Sequence, residues 1–177
     1  MTYPVFATGD VLPASDMNAI GLWLVKTQTI GSAVSSVTVT SAFSSTYDNY
    51  LITVTGGTAS GSGSIRMSMN ASTGSTYLLA GTYGNYGVNS AVTYNPAATT
   101  SWADICPILG AGYSMVVNVA GPFASRPTYG NVESTNTVTF YKFSMTETSS
   151  NSNTGFTLTP AAGTLTGGTI RVYGYRN

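Results

Sequence analysis

Ser36-Val37-Thr38-Val39-Thr40 places an apolar side chain at every second position, with a hydroxyl on either side. Ser64-Ile65-Arg66-Met67-Ser68-Met69-Asn70 repeats the pattern, and Thr137 to Thr146 carries it through the longest run, centred on Phe140-Tyr141-Lys142-Phe143. A period of two gathers the apolar groups on one face of a strand, whereas a helix would scatter them around its axis. The same reading predicts strands over 22–29, 50–55, 113–120, 156–159 and 169–175, with weaker ones around Tyr77, Val92 and Asp104. Turn-forming segments separate them. Gly56 to Gly63 reads as a flexible loop and Thr148 to Gly155 as a polar tip, neither contributing to a core. No repeat of solenoid or propeller length is present. About eight to ten short strands at this spacing predict an all-β fold, an antiparallel two-sheet sandwich that is jelly-roll-like.

The first 21 residues read differently from the body, residues 22–177. Ser15 is placed to cap a helix, Asp16 suits the positive end of its dipole, and Gly21 suits its left-handed end. One short helix, mainly over 13–21, is therefore expected within an N-terminal arm. Such a helix is too short to hold alone. Val5, Phe6, Val11, Leu12, Met17 and Ile20 form its apolar set, and they predict that the arm docks on a partner.

Charge narrows the choice of partner. Of the 177 residues only 7% are charged, against roughly a quarter in ordinary soluble domains. Six basic and six acidic residues cancel to a net charge of zero. Copies of such a surface repel one another weakly and tend to associate. Lys26, Arg66, Arg126, Lys142, Arg171 and Arg176 are mostly far apart in sequence, which argues against the clustered cations that phosphate backbones require. The N-terminus lacks a basic segment followed by a long apolar one, and no run is long enough to insert in a membrane, so a cytoplasmic origin is expected.

Most catalytic chemistry is missing. There is no histidine, which excludes histidine-based acid–base pairs and triads. Cys106, the single cysteine, lies in Ile105-Cys106-Pro107-Ile108-Leu109 and reads as a buried, unreactive thiol. One thiol and no histidine make no zinc site. Asp10, Asp16, Asp48, Asp104, Glu133 and Glu147 are scattered, with no cue for a catalytic pair. No enzyme activity, cofactor or metal is expected. One stretch offers contact chemistry: Tyr77, Tyr83, Tyr86 and Tyr94 sit among small residues and Asn, and suit either a subunit interface or a sugar ring.

The opening, Pro4-Val5-Phe6-Ala7-Thr8-Gly9-Asp10-Val11-Leu12-Pro13-Ala14-Ser15-Asp16-Met17-Asn18-Ala19-Ile20-Gly21, resembles the start of many tailed-bacteriophage fibre and appendage proteins. Trp23 to Gly31, Ser35 to Val39 and Phe43 to Tyr50 are similar to the β domains of phage minor tail and virion-surface proteins, as is the closing Gly168 to Gly174. The resemblance covers about the first 55 residues and, less fully, the end. It implies a compact structural protein of the virion: a short fibre, a head fibre or a capsid decoration subunit. It further implies assembly in the host cytoplasm and a homo-oligomer, usually a trimer. Its partners would be capsid, portal-neck or tail proteins. The alternative is a carbohydrate-binding module that touches a host surface glycan.

Overall fold

The computed structural model describes residues 8–9, 21–88, 91–108 and 112–175. The expected helix, and Val5, Phe6, Val11, Leu12, Met17 and Ile20 with it, lie outside the described residues. Gly21 has a φ of 101°, in the left-handed region.

The body is all-β. Its strands are β1 (Leu22–Thr29), β2 (Val37–Val39), β3 (Asn49–Thr55), β4 (Thr58–Ala59), β5 (Ser64–Met69), β6 (Tyr77–Asn85) and β7 (Ala91–Tyr94). They continue as β8 (Trp102–Pro107), β9 (Ser114–Ala120), β10 (Thr128–Thr135), β11 (Thr139–Glu147), β12 (Phe156–Pro160), β13 (Leu165–Thr166) and β14 (Thr169–Tyr175). An eight-stranded sheet runs β1-β14-β3-β9-β10-β11-β6-β7, and a four-stranded sheet runs β2-β12-β5-β8. A two-stranded ribbon joins β13 to β4. Every pairing is antiparallel.

The alternation read from the sequence is the alternation of burial. Tyr50, Ile52 and Val54 of β3, Met115, Val117 and Val119 of β9, and Ile170 and Val172 of β14 form the inner face of the large sheet. Val37 and Val39 of β2, Ile65, Met67 and Met69 of β5, and Phe156 and Leu158 of β12 face them from the small sheet. Residues opposite one another in an antiparallel pair share a face, so Ile52, Val117 and Val132 stand in one row, in register across β3, β9 and β10. Many outward positions carry Thr, which keeps strand propensity without charge.

Three segments depart from the expectation. β10 was not predicted, because Thr-Tyr-Gly-Asn-Val-Glu-Ser-Thr alternates in burial and hardly at all in hydrophobicity. Its inward positions are Thr128, Gly130, Val132 and Ser134, and the Ser134 hydroxyl donates to the Ile105 carbonyl at 2.7 Å. The Gly56–Gly63 segment holds β4, whose pairing with β13 needed a partner about a hundred residues away. The polar tip 148–155 does supply a core residue. Asn153 is fully buried, accepts from the Ala71 N–H at 3.0 Å and donates to the Asn151 carbonyl at 3.2 Å. A buried amide of this kind stands in for a backbone partner in an irregular segment.

Candidate functional site

The four tyrosines singled out above go to three different places. Tyr77 is a core residue. Its ring stands edge-on to Trp102 with centroids 5.4 Å apart, and its hydroxyl accepts the Met69 N–H at 2.7 Å. It therefore offers nothing to a ligand. Tyr86 follows β6 and is 56% exposed; its ring rests against Phe140, and its hydroxyl pairs with that of Thr135 at 2.7 Å. Only Tyr83 and Tyr94 come together, as perpendicular rings 6.1 Å apart.

Strand register explains that meeting. β6 lies between β7 and β11, with Gly81 opposite both Tyr94 and Phe143, and Tyr83 opposite Tyr141. Gly81 carries no side chain, so the Tyr94 and Phe143 rings close over it at 5.7 Å. A Cβ at that position would lie 2.7 Å from the Phe143 ring. Tyr141 completes the group, 5.6 Å from Tyr83 and 5.4 Å from Phe143. Four aromatic rings from three neighbouring strands thus share the inner face near one edge of the large sheet.

The small sheet supplies a carboxylate to the same place. In the β5–β8 pair, Ile65 opposes Cys106 and Met67 opposes Trp102, so Ala103, Asp104 and Ile105 together face Arg66 alone. Such a bulge re-aims side chains. Asp104 sits in it with a φ of 56°. That left-handed conformation is uncommon outside glycine, and Asp is among the residues that adopt it most readily. Its Oδ2 accepts the Tyr94 hydroxyl at 2.6 Å, and its Oδ1 accepts the Ser64 hydroxyl. Tyr83, Tyr94, Asp104, Tyr141 and Phe143 line a cavity of about 190 Å³. Burial, then the hydrogen bond to Asp104 and its charge, push the Tyr94 phenol up to about 12. Burial and the same charge raise that of Tyr141. Sequence reading missed Asp104, Tyr141 and Phe143; the available signal was one acid inside the apolar run Trp102 to Leu109.

A second concave surface lies on the outer face of the large sheet. Tyr175 donates to Asn118 Oδ1 at 3.0 Å, and Asn118 Nδ2 donates to Asn131 Oδ1 at 3.1 Å. Tyr129, 54% exposed, stands beside this chain of amides, and the whole forms an open groove of about 460 Å³.

A third surface is apolar. Leu22 and Leu24 share one face of the edge strand β1, with Trp23 on the other, and all three remain exposed, Leu24 by 56%. Tyr175, opposite Leu22 on β14, is exposed beside them.

The remaining acids of the body are apart from one another. Glu133 forms a surface ion pair with Lys142 at 2.7 Å. Glu147 is buried and accepts both the N–H and the hydroxyl of Ser149, each at 2.8 Å. Cys106 is fully buried, and its burial pushes the thiol up to about 12. Among the described residues no group of three or more Cys, Asp or Glu side chains is placed to hold a metal ion. No helix among them is long and apolar enough to cross a membrane. No protein-family model matches the chain, and no curated protein matches it either.

Proposed function

We propose that this chain is a non-catalytic structural subunit of a bacteriophage virion, a compact fibre or decoration protein that docks through residues 1–21. The observation that supports this most is the exposed apolar strip Leu22-Trp23-Leu24, with Tyr175 beside it, at the point where the arm joins the body. Among the described residues β1 is an edge strand, paired with β14. A free strand edge with apolar side chains is a surface that proteins ordinarily cover or use for pairing. The apolar set Val5, Phe6, Val11, Leu12, Met17 and Ile20 leads directly into it. A chain with zero net charge and few charged residues adds little repulsion between copies, which favours a homo-oligomer, taken here as a trimer.

The test is mass by light scattering at low micromolar concentration, joined to a pull-down on particles that lack the protein. Phe6→Asp, or deletion of 1–21, should abolish attachment while leaving the strand spectrum of the body intact. A stable monomer, or full attachment without the arm, would refute the reading.

The outer groove favours a second reading, carbohydrate binding. Planar amides at Asn118 and Asn131 between the exposed rings of Tyr129 and Tyr175 match the hydroxyls and flat faces of a neutral sugar. A glycan array with Tyr129→Ala as control separates the two: saturable binding lost in the variant makes the subunit an adhesin as well.

A further inference from the structure

The pocket formed by Tyr83, Tyr94, Tyr141, Phe143 and Asp104 holds one full negative charge with no positive partner. Among the described residues the one ion pair is Lys142–Glu133, so no cation stands within 4 Å of Asp104. The carboxylate is partly buried, and its two oxygens accept one hydroxyl each, from Tyr94 and Ser64. Two hydroxyl donors leave the net charge in place. A carboxylate removed from water normally acquires a counter-charge. Here four rings and a cavity stand where a protein cation would otherwise sit.

The geometry points to a binding site for an organic cation, a quaternary ammonium group of the size carried by choline. Ring centroids in the cluster are 5.4–6.1 Å from their neighbours. At that spacing the rings pack against one another, so a cation sits in the cavity they line with Asp104, beside the cluster, and gains cation–π attraction from the rings that border it. The cavity, about 190 Å³, is smaller than the roughly 300–1,000 Å³ of sites for whole drug-sized ligands, so it takes a headgroup.

Hydrogen-bond inventory decides between kinds of cation. A lysine ammonium brings three N–H donors and an arginine brings five. The lining offers the remaining lone pairs of one carboxylate, already accepting two hydroxyls, and the phenol oxygens; the rest is carbon. A primary ammonium must turn its three donors to those few acceptors at the expense of contact with the rings. A quaternary ammonium has none to satisfy. The site lies at the β6–β7 edge of the large sheet, and the proposed docking strip lies on β1 at the opposite edge. Seven strand spacings separate β1 from β7, roughly 33 Å along the sheet. The two places share no residue, so the pocket can be tested apart from the proposed docking.

The experiment follows the ring resonances of Tyr83, Tyr94 and Tyr141 by NMR while choline chloride is added to tens of millimolar at constant ionic strength. Phosphocholine in a parallel titration tells a phosphate-linked source from free choline. 3,3-Dimethylbutan-1-ol, the uncharged isostere, and Nα-acetyl-lysine amide are the controls. Saturable shifts are expected with choline or phosphocholine, with both controls at least about tenfold weaker. Asp104→Asn should weaken choline by a similar factor, as should Tyr83→Leu, whose half-exposed ring can be removed if the first variant folds poorly. The absence of saturation, equal binding of the uncharged isostere, tighter binding of the lysine compound, or unchanged affinity in both variants would overturn the proposal.

Discussion

Tyr94 of the large sheet donates its phenol proton to Asp104 of the small sheet across 2.6 Å, and so ties the free edge of one layer to a bulge in the other. β7 has only four residues and pairs with β6 alone. Its attachment to the core therefore leans on this bond and on the packing of Tyr94 against Phe143. Tyr94→Phe should keep the ring contacts and lose the bond. A hydrogen bond to a charged acceptor contributes about 1.5–3 kcal/mol, and partial exposure argues for the lower end. A loss of about 1–2 kcal/mol in urea unfolding is expected.

Alkaline titration should report the same environment. The Tyr94 and Tyr113 phenols are each pushed up to about 12 by burial first, with Asp104 adding to the effect at Tyr94 and Cys106 at Tyr113. A folded value above the unfolded one, near 10, means that the neutral phenol is favoured by folding. That stabilisation is fully present below about pH 10 and is lost as pH rises through about 12. Absorbance of ionised tyrosine should show phenols that resist ionisation past pH 10 in the native protein and titrate normally in denaturant.

Cys106 should be silent towards thiol reagents in the folded state. A pKa of about 12 leaves on the order of one thiolate in ten thousand at pH 8, and the group is fully buried besides. Labelling should proceed only at the rate of unfolding and become immediate in denaturant. Rapid labelling of the native protein would contradict the packing around β8.

Gly81→Ala should destabilise the fold by about 1–3 kcal/mol, the range for overfilling a packed site. The added methyl would meet the Lys142 carbonyl and the Phe143 ring, the latter at 2.7 Å. Both neighbours belong to β11, so the ring shift should also deform the aromatic pocket, visible as altered Phe143 and Tyr94 resonances.

Tyr77→Phe separates core from site. The buried Met69 N–H would lose its acceptor at 2.7 Å, an expected loss of about 1–3 kcal/mol. Affinity for any ligand of the aromatic pocket should be unchanged, since Tyr77 does not line it. A specific loss of binding with stability intact would return Tyr77 to the site.

The strands at 50–55 and 169–175 follow from the sequence almost to the residue, because period-two burial is a local property, while 22–29 was legible only as a β-prone run, since its burial does not alternate. β10 escaped because glycine and serine can face a core when a neighbouring strand fills the space or accepts the hydroxyl, as Met145 and Ile105 do here. The same limit applied to the site. Tyrosine enrichment over 77–94 was legible, yet Tyr77 went inward and Tyr86 outward. Tyr83 and Tyr94 needed Tyr141, Phe143 and Asp104 to make a cavity. What the sequence by itself determined was an all-β fold poor in charge and without histidine chemistry. Tertiary structure alone decided which tyrosines meet a carboxylate. That depends on strand order, register and one bulge in β8, which are set by contacts between segments far apart in the chain.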